Sequence, residues 1–343
     1  MIIIAKKAMV FRKILPNFMP SNQQESAYEE VCGSNHRELA LLTAHQNVIS
    51  EAYEQHELSL ATLKQALDHH QLNHQVCYLD DDWRHIRILE NNSTARSPLL
   101  FISLGGDGTF LQMVARVSSE HSCVLGIRST VYSVGSLCQA RESTIHSAIR
   151  DYQLKNFTIN KVARMVAKVT SLKNGTVRYT PPAFNDILYT NQDPGSAVRY
   201  TLSIQEQVEK HISSGIWFYT PQGSTGAAQA AGAKPLPYDS PVFSFIVREP
   251  YGAHTYTDHG WQPQITRHVT LKQGNFKKSM PSKTHLAAVK QDHPVVINLT
   301  TKACLITDGR HHLPLDPGDK LDFLPYATPL NVLRLKNNEI SAL

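Results

Sequence analysis

Pro98-Leu99-Leu100-Phe101-Ile102-Ser103-Leu104, followed at once by Gly105-Gly106-Asp107-Gly108-Thr109, decides how the first half of this chain is read. The apolar run has the length and composition of a buried strand. Three glycines around one carboxylate make a turn in which a ligand's phosphates can approach backbone amides without interference from Cβ atoms. Behind it, Phe110, Val114 and Val117 recur at helical spacing, with Leu111 and Met113 also apolar. The order strand, glycine turn, helix aims N–H groups at an anion, and phosphoryl transfer is the chemistry most easily placed there. Gly-Gly-Asp-Gly can also be a plain tight turn with Asp107 exposed and idle, and the tetrad alone leaves both readings open.

The periodicities around this stretch set the architecture. His36 to His70 reads as helical, with Leu39, Leu42 and Val48 in one stretch and Leu60, Leu63 and Leu67 in another, before Val76-Cys77-Tyr78-Leu79 turns extended. Alternating helices and short apolar strands up to about residue 150 predict a doubly wound α/β domain over 1–150. After Asn156, strand-length segments such as Ala163 to Thr170, Val198 to Ile204, Val242 to Val247, His268 to Leu271 and Val295 to Leu299 are punctuated by Gly, Pro, Asn and Asp. They predict a β-rich, β-sandwich-like domain over 151–324. The tail, about 325–343, is expected to return to the first domain.

Two further segments carry polar chemistry. Ile216-Trp217-Phe218-Tyr219 reads as a strand, and Thr220-Pro221-Gln222-Gly223-Ser224-Thr225-Gly226 follows as a loop of small and hydroxyl-bearing residues, continued by small residues from Ala227 to Ala233. It is either a second cradle for a ligand or a Pro-Gly turn ending an edge strand. Phe184-Asn185-Asp186-Ile187-Leu188 sets an amide and a carboxylate at the head of an apolar run. That pair is either part of a site or an Asx turn entering a strand.

In this order, GGDGT at 105, Asn185-Asp186 and TPQGST at 220 resemble the NAD kinase family, which has a GGDGT loop, an Asn-Glu pair and a TPxGST loop. Val124-Leu125-Gly126-Ile127, Val247-Arg248-Glu249-Pro250 and Ile306-Thr307-Asp308-Gly309 resemble further strands and turns of that family. Ser133-Val134-Gly135-Ser136-Leu137-Cys138 and Ser213-Ser214-Gly215 are closer in style to its divergent mitochondrial-type branch.

The resemblance implies transfer of a phosphoryl group from ATP, or another phosphate donor, to the adenosine ribose 2′-hydroxyl of NAD, giving NADP. On the family's pattern, Asp107 is the expected catalytic base, and Gly105, Gly106, Gly108 and Thr109 the expected phosphate or ATP ligands. Asn185, Asp186, Ser214, Ser224, Thr225, Gly226, Ala227 and Ala230 are the expected NAD contacts. Magnesium is expected to arrive on the nucleotide donor, since Mg²⁺ favours phosphate oxygens and water over an all-protein cage. The family's site lies between domains and is often completed by a neighbouring subunit, which implies a homodimer or homotetramer.

Three positions depart from the family's pattern. Asp186 replaces its Glu, Gly226-Ala227 its Ala-Tyr, and Ser214 an Asp. The run of small residues after Gly226 predicts a closely packed neighbour, so that a tyrosine at Ala227 would overpack. Two other readings are a lipid kinase of the diacylglycerol or sphingosine type, which shares the GGDGT turn, and an NAD-binding sensor without turnover, motivated by Ser214 and Ala227.

Composition excludes several classes. At 343 residues, 41% apolar and 18% charged, the chain is globular rather than disordered. It has no run of eighteen apolar residues, which argues against membrane association, and Met1 to Ala5 is too short for a signal-peptide core. A net charge of +5, from 34 basic and 29 acidic residues, is not gathered into a block, and no zinc-finger spacing or recognition helix points to nucleic acid. Cys32, Cys77, Cys123, Cys138 and Cys304 are dispersed, which suggests reduced thiols in a cytoplasmic setting. The 17 histidines lack a His-Glu-x-x-His pattern, so no protein-bound metal is expected.

Overall fold

The structure, a computed structural model, describes residues 1–5, 36–204, 207–238, 240, 242–251, 255–257, 260–262, 268–272 and 293–336, with the backbone alone described at 36–46, 207, 255–257, 260–262 and 268–272. Cys32 lies outside the described residues. The chain divides into two compact units, Met1–Asn160 with Asn331–Leu343, and Lys161–Leu330.

In the first unit, the strands run across one sheet in the order Gln75–Tyr78, Ile2–Ala5, Leu100–Gly105, Cys123–Arg128, Leu330–Leu335, Phe157–Val162, and Ala140–Arg141 pairs with Cys123–Arg128. Ile2–Ala5 pairs in parallel with Gln75–Tyr78 on one side and Leu100–Gly105 on the other. The strand order therefore reverses at Ile2–Ala5. In such sheets ligands bind beyond the carboxyl ends of the strands at the reversal, where the glycine turn after Leu100–Gly105 emerges.

All six residues of Leu100–Gly105 are buried, as a parallel strand covered on both faces requires. Leu100, Ile102 and Leu104 join Leu60, Leu63 and Leu67 of the 34-residue helix His36–His69, and Ile145, Ala148 and Ile149 of the helix Ile145–Gln153, in one core. Phe101 points to the other face, where Trp83 stacks on it at 6.3 Å. The first unit is thus a doubly wound α/β fold.

The second unit is built on two six-stranded sheets. One has the order Gln207–Ser213, Val198–Ile204, Val295–Asn298, Asp319–Pro325, Met165–Ser171, Val177–Tyr179. The other has the order His268–Lys272, Val242–Arg248, Gly215–Tyr219, Asp186–Asn191, Ala303–Thr307, His311–Pro314. Alternate residues of both meet in a single core that includes Val169, Tyr200 and Phe323 from the first sheet and Ile187, Phe218 and Phe245 from the second. Phe218 and Phe323 stack across it with centroids 3.5 Å apart. Two antiparallel sheets sharing one core make a β-sandwich.

Candidate functional site

In the first unit, Gly106 caps the helix Asp107–Val114 in extended conformation, so the chain passes from strand to helix with no intervening loop. A Cβ on Gly106 would stand 2.8 Å from the Ser133 hydroxyl oxygen, which explains the glycine by space rather than by backbone angle. The amides of Asp107 and Gly108 are among the first-turn donors that a helix leaves without an intrahelical acceptor. The Thr109 amide is already committed, donating to the Gly106 carbonyl at 3.0 Å. Thr109 itself is fully buried, and its Oγ1 has no hydrogen-bond partner among the described residues. A buried hydroxyl without a partner costs about 1–3 kcal/mol.

Asp107 is half-buried and is not idle. Its Oδ1 accepts the Leu137 amide at 2.7 Å and its Oδ2 the Ser136 amide at 3.1 Å. Because it opens the helix, its charge also faces the positive end of the helix dipole. The carboxylate is therefore held at a fixed angle by the loop that follows Arg128. Partners thirty residues away leave no local signal, so the role of Ser136 and Leu137 in holding Asp107 is not legible in the sequence.

In the second unit, Asn185 and Asp186 stand where the strand Asp186–Asn191 begins. Two segments converge on them. From the turn after Ala303–Thr307, Asp308 Oδ2 accepts the Phe184 amide at 2.9 Å, and Oδ1 accepts the amides of Asn185 at 2.8 Å and Asp186 at 3.1 Å. From the end of Gly215–Tyr219, the Thr220 amide donates to the Asn185 carbonyl at 2.9 Å. The Thr220 hydroxyl lies within hydrogen-bond reach of the Phe184 and Asn185 carbonyls. Gly223 completes the contact: a Cβ there would run into the Asn185 carbonyl, so only glycine lets the two loops close on each other.

This packing leaves polar atoms over. Asn185 Oδ1, Gln222 Oε1 and Thr307 Oγ1 are buried without a hydrogen-bond partner among the described residues. Such atoms are rare in proteins and mark strain, water or a ligand. The carboxyls differ from each other for a physical reason. Burial pushes the Asp186 carboxyl up to about 7, helped by repulsion from Asp308. Burial also raises Asp308, to about 6, but three backbone amides and the Arg164 guanidinium oppose the shift. Arg164, 1% exposed, was missed by sequence reasoning, because a single arginine between strands carries no motif.

The remaining expected residues separate. Ser224 is fully buried; its hydroxyl donates to the Pro221 carbonyl at 2.7 Å and accepts the Leu236 amide at 2.9 Å. Both hydrogen bonds hold the loop, so the Ser224 hydroxyl is engaged within it. Thr225, Gly226, Ala227 and Ala230 are exposed on and beside the four-residue helix Ala227–Ala230. Only Ala228 packs inward, against Tyr219 and Ile246. The expectation of a tightly packed neighbour at Ala227 is not met among the described residues, where its side chain is exposed.

Ser214 is not brought to this cluster. It precedes Gly215–Tyr219 at the end opposite Thr220, and its carbonyl accepts the Thr190 hydroxyl at 3.0 Å, whereas Asp186 is paired with Tyr219. At about 3.3 Å per residue the strand keeps the two ends roughly 17 Å apart.

Among the described residues no group of three or more His, Cys, Asp or Glu could hold a metal ion, and no helix is long and apolar enough to cross a membrane. Cys77, Cys123, Cys138 and Cys304 are buried and free.

Comparison with known proteins gives a consistent picture. No family model matches the chain. Over 206 residues it is 25% identical to an NAD kinase of Flavobacterium psychrophilum, covering 59% of this chain and 67% of that protein. Over 279 residues it is 25% identical to a probable NADH kinase of Oryza sativa subsp. japonica, covering 75% and 77%. Among solved structures, an NAD kinase from Archaeoglobus fulgidus in complex with ATP matches with a TM-score of 0.57 at 18% identity, covering 82% of this chain and 90% of that one. At that identity the likeness is one of fold.

Proposed function

The chain belongs to the NAD kinase family, and from that premise we propose that it transfers the terminal phosphoryl group of ATP to the adenosine ribose 2′-hydroxyl of NAD, forming NADP. The observation that carries this reading is the convergence of Asn185, Asp186, Thr220, Gly223 and Asp308 in the second unit, with the Asn185 side-chain oxygen Oδ1 buried and without a hydrogen-bond partner among the described residues. A polar dinucleotide would supply the missing partner. Thr225, Gly226, Ala227 and Ala230 are exposed and offer contact surface beside it.

In the first unit, the free first-turn amides of the helix Asp107–Val114 would bind donor phosphate oxygens, and Asp107, aimed by two backbone amides, would accept the hydroxyl proton. Gly105 and Gly106 leave room for the side chains of Thr109 and Ser133, which pack where their Cβ atoms would stand. Positioning and charge stabilisation are most of what phosphoryl transfer asks of a protein. Magnesium would come bound to the donor and neutralise phosphate charge. Ser214, at the far end of its strand, stands apart from this cluster and would suit a site completed by a second copy of the chain, as in a homodimer or homotetramer. We place the protein in the cytoplasm, in line with its free buried cysteines.

The test is an assay for NADP formation, coupled to an NADP-specific dehydrogenase, with NAD or NADH as acceptor and ATP, other nucleoside triphosphates or polyphosphate as donor. Turnover with any donor supports the proposal. NAD binding without turnover under every donor favours a sensor instead, a reading that gains from one observation: both oxygens of Asp107 already accept backbone N–H groups.

A further inference from the structure

The buried stripe of the helix His36–His69 consists of Leu60, Leu63, Ala66 and Leu67, but toward its N-terminal side it turns polar. His56 is 1% exposed and Ser59 4%. Polar groups buried in this way destabilise a fold unless they are hydrogen-bonded. Both end on one residue. His56 Nδ1 lies 2.9 Å from the Ser129 hydroxyl, and the Ser59 hydroxyl donates to the Ser129 carbonyl at 2.8 Å. The Ser129 amide in turn donates to the Gly105 carbonyl at 3.3 Å.

The helix holds the same loop again through Gln55, the residue before His56, and through Glu51, one turn earlier. Gln55 Oε1 accepts the Val131 amide at 3.1 Å, and the Tyr132 hydroxyl bonds to Glu51. Five residues beyond Val131 the loop reaches Ser136 and Leu137, whose amides hold Asp107. A chain of hydrogen bonds therefore runs from the helix to both ends of the glycine turn: through Ser129 to Gly105, and through the loop to Asp107.

We propose that His56 and Ser59 are positioning residues for the phosphate-binding turn, setting the angle of the Asp107 carboxylate through Ser129 and the loop that follows it. The proposal rests on Asp107 and its turn being the place of phosphoryl transfer. Neither residue touches a substrate. Their loss disturbs geometry, and misplacement by about 1 Å can cost about a hundredfold in rate.

The test uses the full-length protein and four variants. His56→Phe keeps the ring volume and removes the nitrogen. His56→Asn places an amide where Nδ1 stood, while His56→Gln places it further out, where Nε2 stood. Ser59→Ala removes the second contact and covers the case in which a His56 variant fails to fold.

Two quantities are read: kcat and KM for NADP formation, and the hydrogen exchange rates of the Ser136 and Leu137 amides. Expected are a kcat lowered by roughly ten- to a hundredfold in His56→Phe and His56→Gln, with KM for NAD unchanged, recovery to within about threefold in His56→Asn, and a smaller fall in Ser59→Ala. The two amides exchange faster in the impaired variants while those of Leu60 to Leu67 do not.

Unchanged exchange at Ser136 and Leu137 overturns the proposal. So does faster exchange along the whole helix with no rescue by asparagine, the signature of a packing role. If the wild-type protein forms no NADP, the functional reading fails by itself, and the exchange rates still decide whether His56 and Ser59 hold the turn.

Discussion

The carboxylate of Asp308 accepts the amide hydrogen of Asn185 at 2.8 Å, across 123 positions of sequence. That contact takes the Asn185 amide, the Thr220 amide takes the Asn185 carbonyl at 2.9 Å, and the side-chain oxygen is left as the unsatisfied atom. A residue fixed by its backbone and unsatisfied at its side chain is suited to binding. Its Oδ1 makes no hydrogen bond among the described residues that a smaller residue would lose.

Asn185→Ala should therefore separate binding from stability. NAD affinity is expected to fall by about 1–3 kcal/mol, the value of a lost hydrogen bond to a buried partner, while the melting temperature of the free protein stays level or rises. Calorimetric titration beside a thermal melt reads both. Unaltered NAD affinity would assign the pair to a turn.

The Asp186 carboxyl predicts a pH dependence of stability. Its value, about 7 in the folded protein, lies above that of an unfolded aspartate, so the folded state holds the extra proton between about 4 and 7. Its contribution is complete below the unfolded value and is lost as pH rises through about 7; Asp308, raised to about 6, acts in the same direction. Asp186→Asn should raise the melting midpoint at pH 8 by about 2–4 °C, the shift that roughly 1 kcal/mol produces at this size, and should narrow the gap between pH 5 and pH 8. A wider gap in the variant would contradict the assignment.

Asp107→Asn keeps the size of the side chain but turns one acceptor into a donor, setting an NH₂ group against one of the two loop amides. Turnover should fall by roughly 10² to 10⁴, as for loss of a general base, with NAD affinity much less altered. Steady-state NADP formation measures it, and a near wild-type rate removes Asp107 from the mechanism.

Ala227→Tyr now has an expected sign. Because Ala227 is exposed, the ring meets no wall, and folding stability should move by no more than about 0.5 kcal/mol. NAD binding should tighten by about 0.5–1.5 kcal/mol through aromatic contact. Weaker binding in a normally folded variant would mean that the ring blocks the ligand.

Much of the architecture was legible because it rests on local patterns. The helix over His36–His69 and the strands Val198–Ile204 and Val242–Arg248 follow runs whose periodicity is visible in the sequence. The glycine turn was legible for the same reason, since strand, turn and helix are consecutive. Ser224 shows where such reading stops. Its place in a hydroxyl-rich loop suggested a ligand contact, yet the Pro221 carbonyl and the Leu236 amide, one of them twelve residues away, occupy its hydroxyl. Ala227 shows the reverse error, because small residues pack closely or stand open with equal ease, and sequence does not distinguish the two.

The sequence by itself determined the elements, the two β-rich and α/β regions, and the glycine turn with its carboxylate, because these depend on side-chain periodicity and on what glycine permits over a few consecutive bonds. Only the tertiary structure decided which groups are committed and which are left over. Asp107 is tied to Ser136 and Leu137, Asp308 to the amides before the strand at Asp186, and Asn185 Oδ1 is left without a partner. The physical reason is that hydrogen-bond capacity and burial are shared among residues far apart in the chain, so the chemistry of each group depends on neighbours that folding alone supplies.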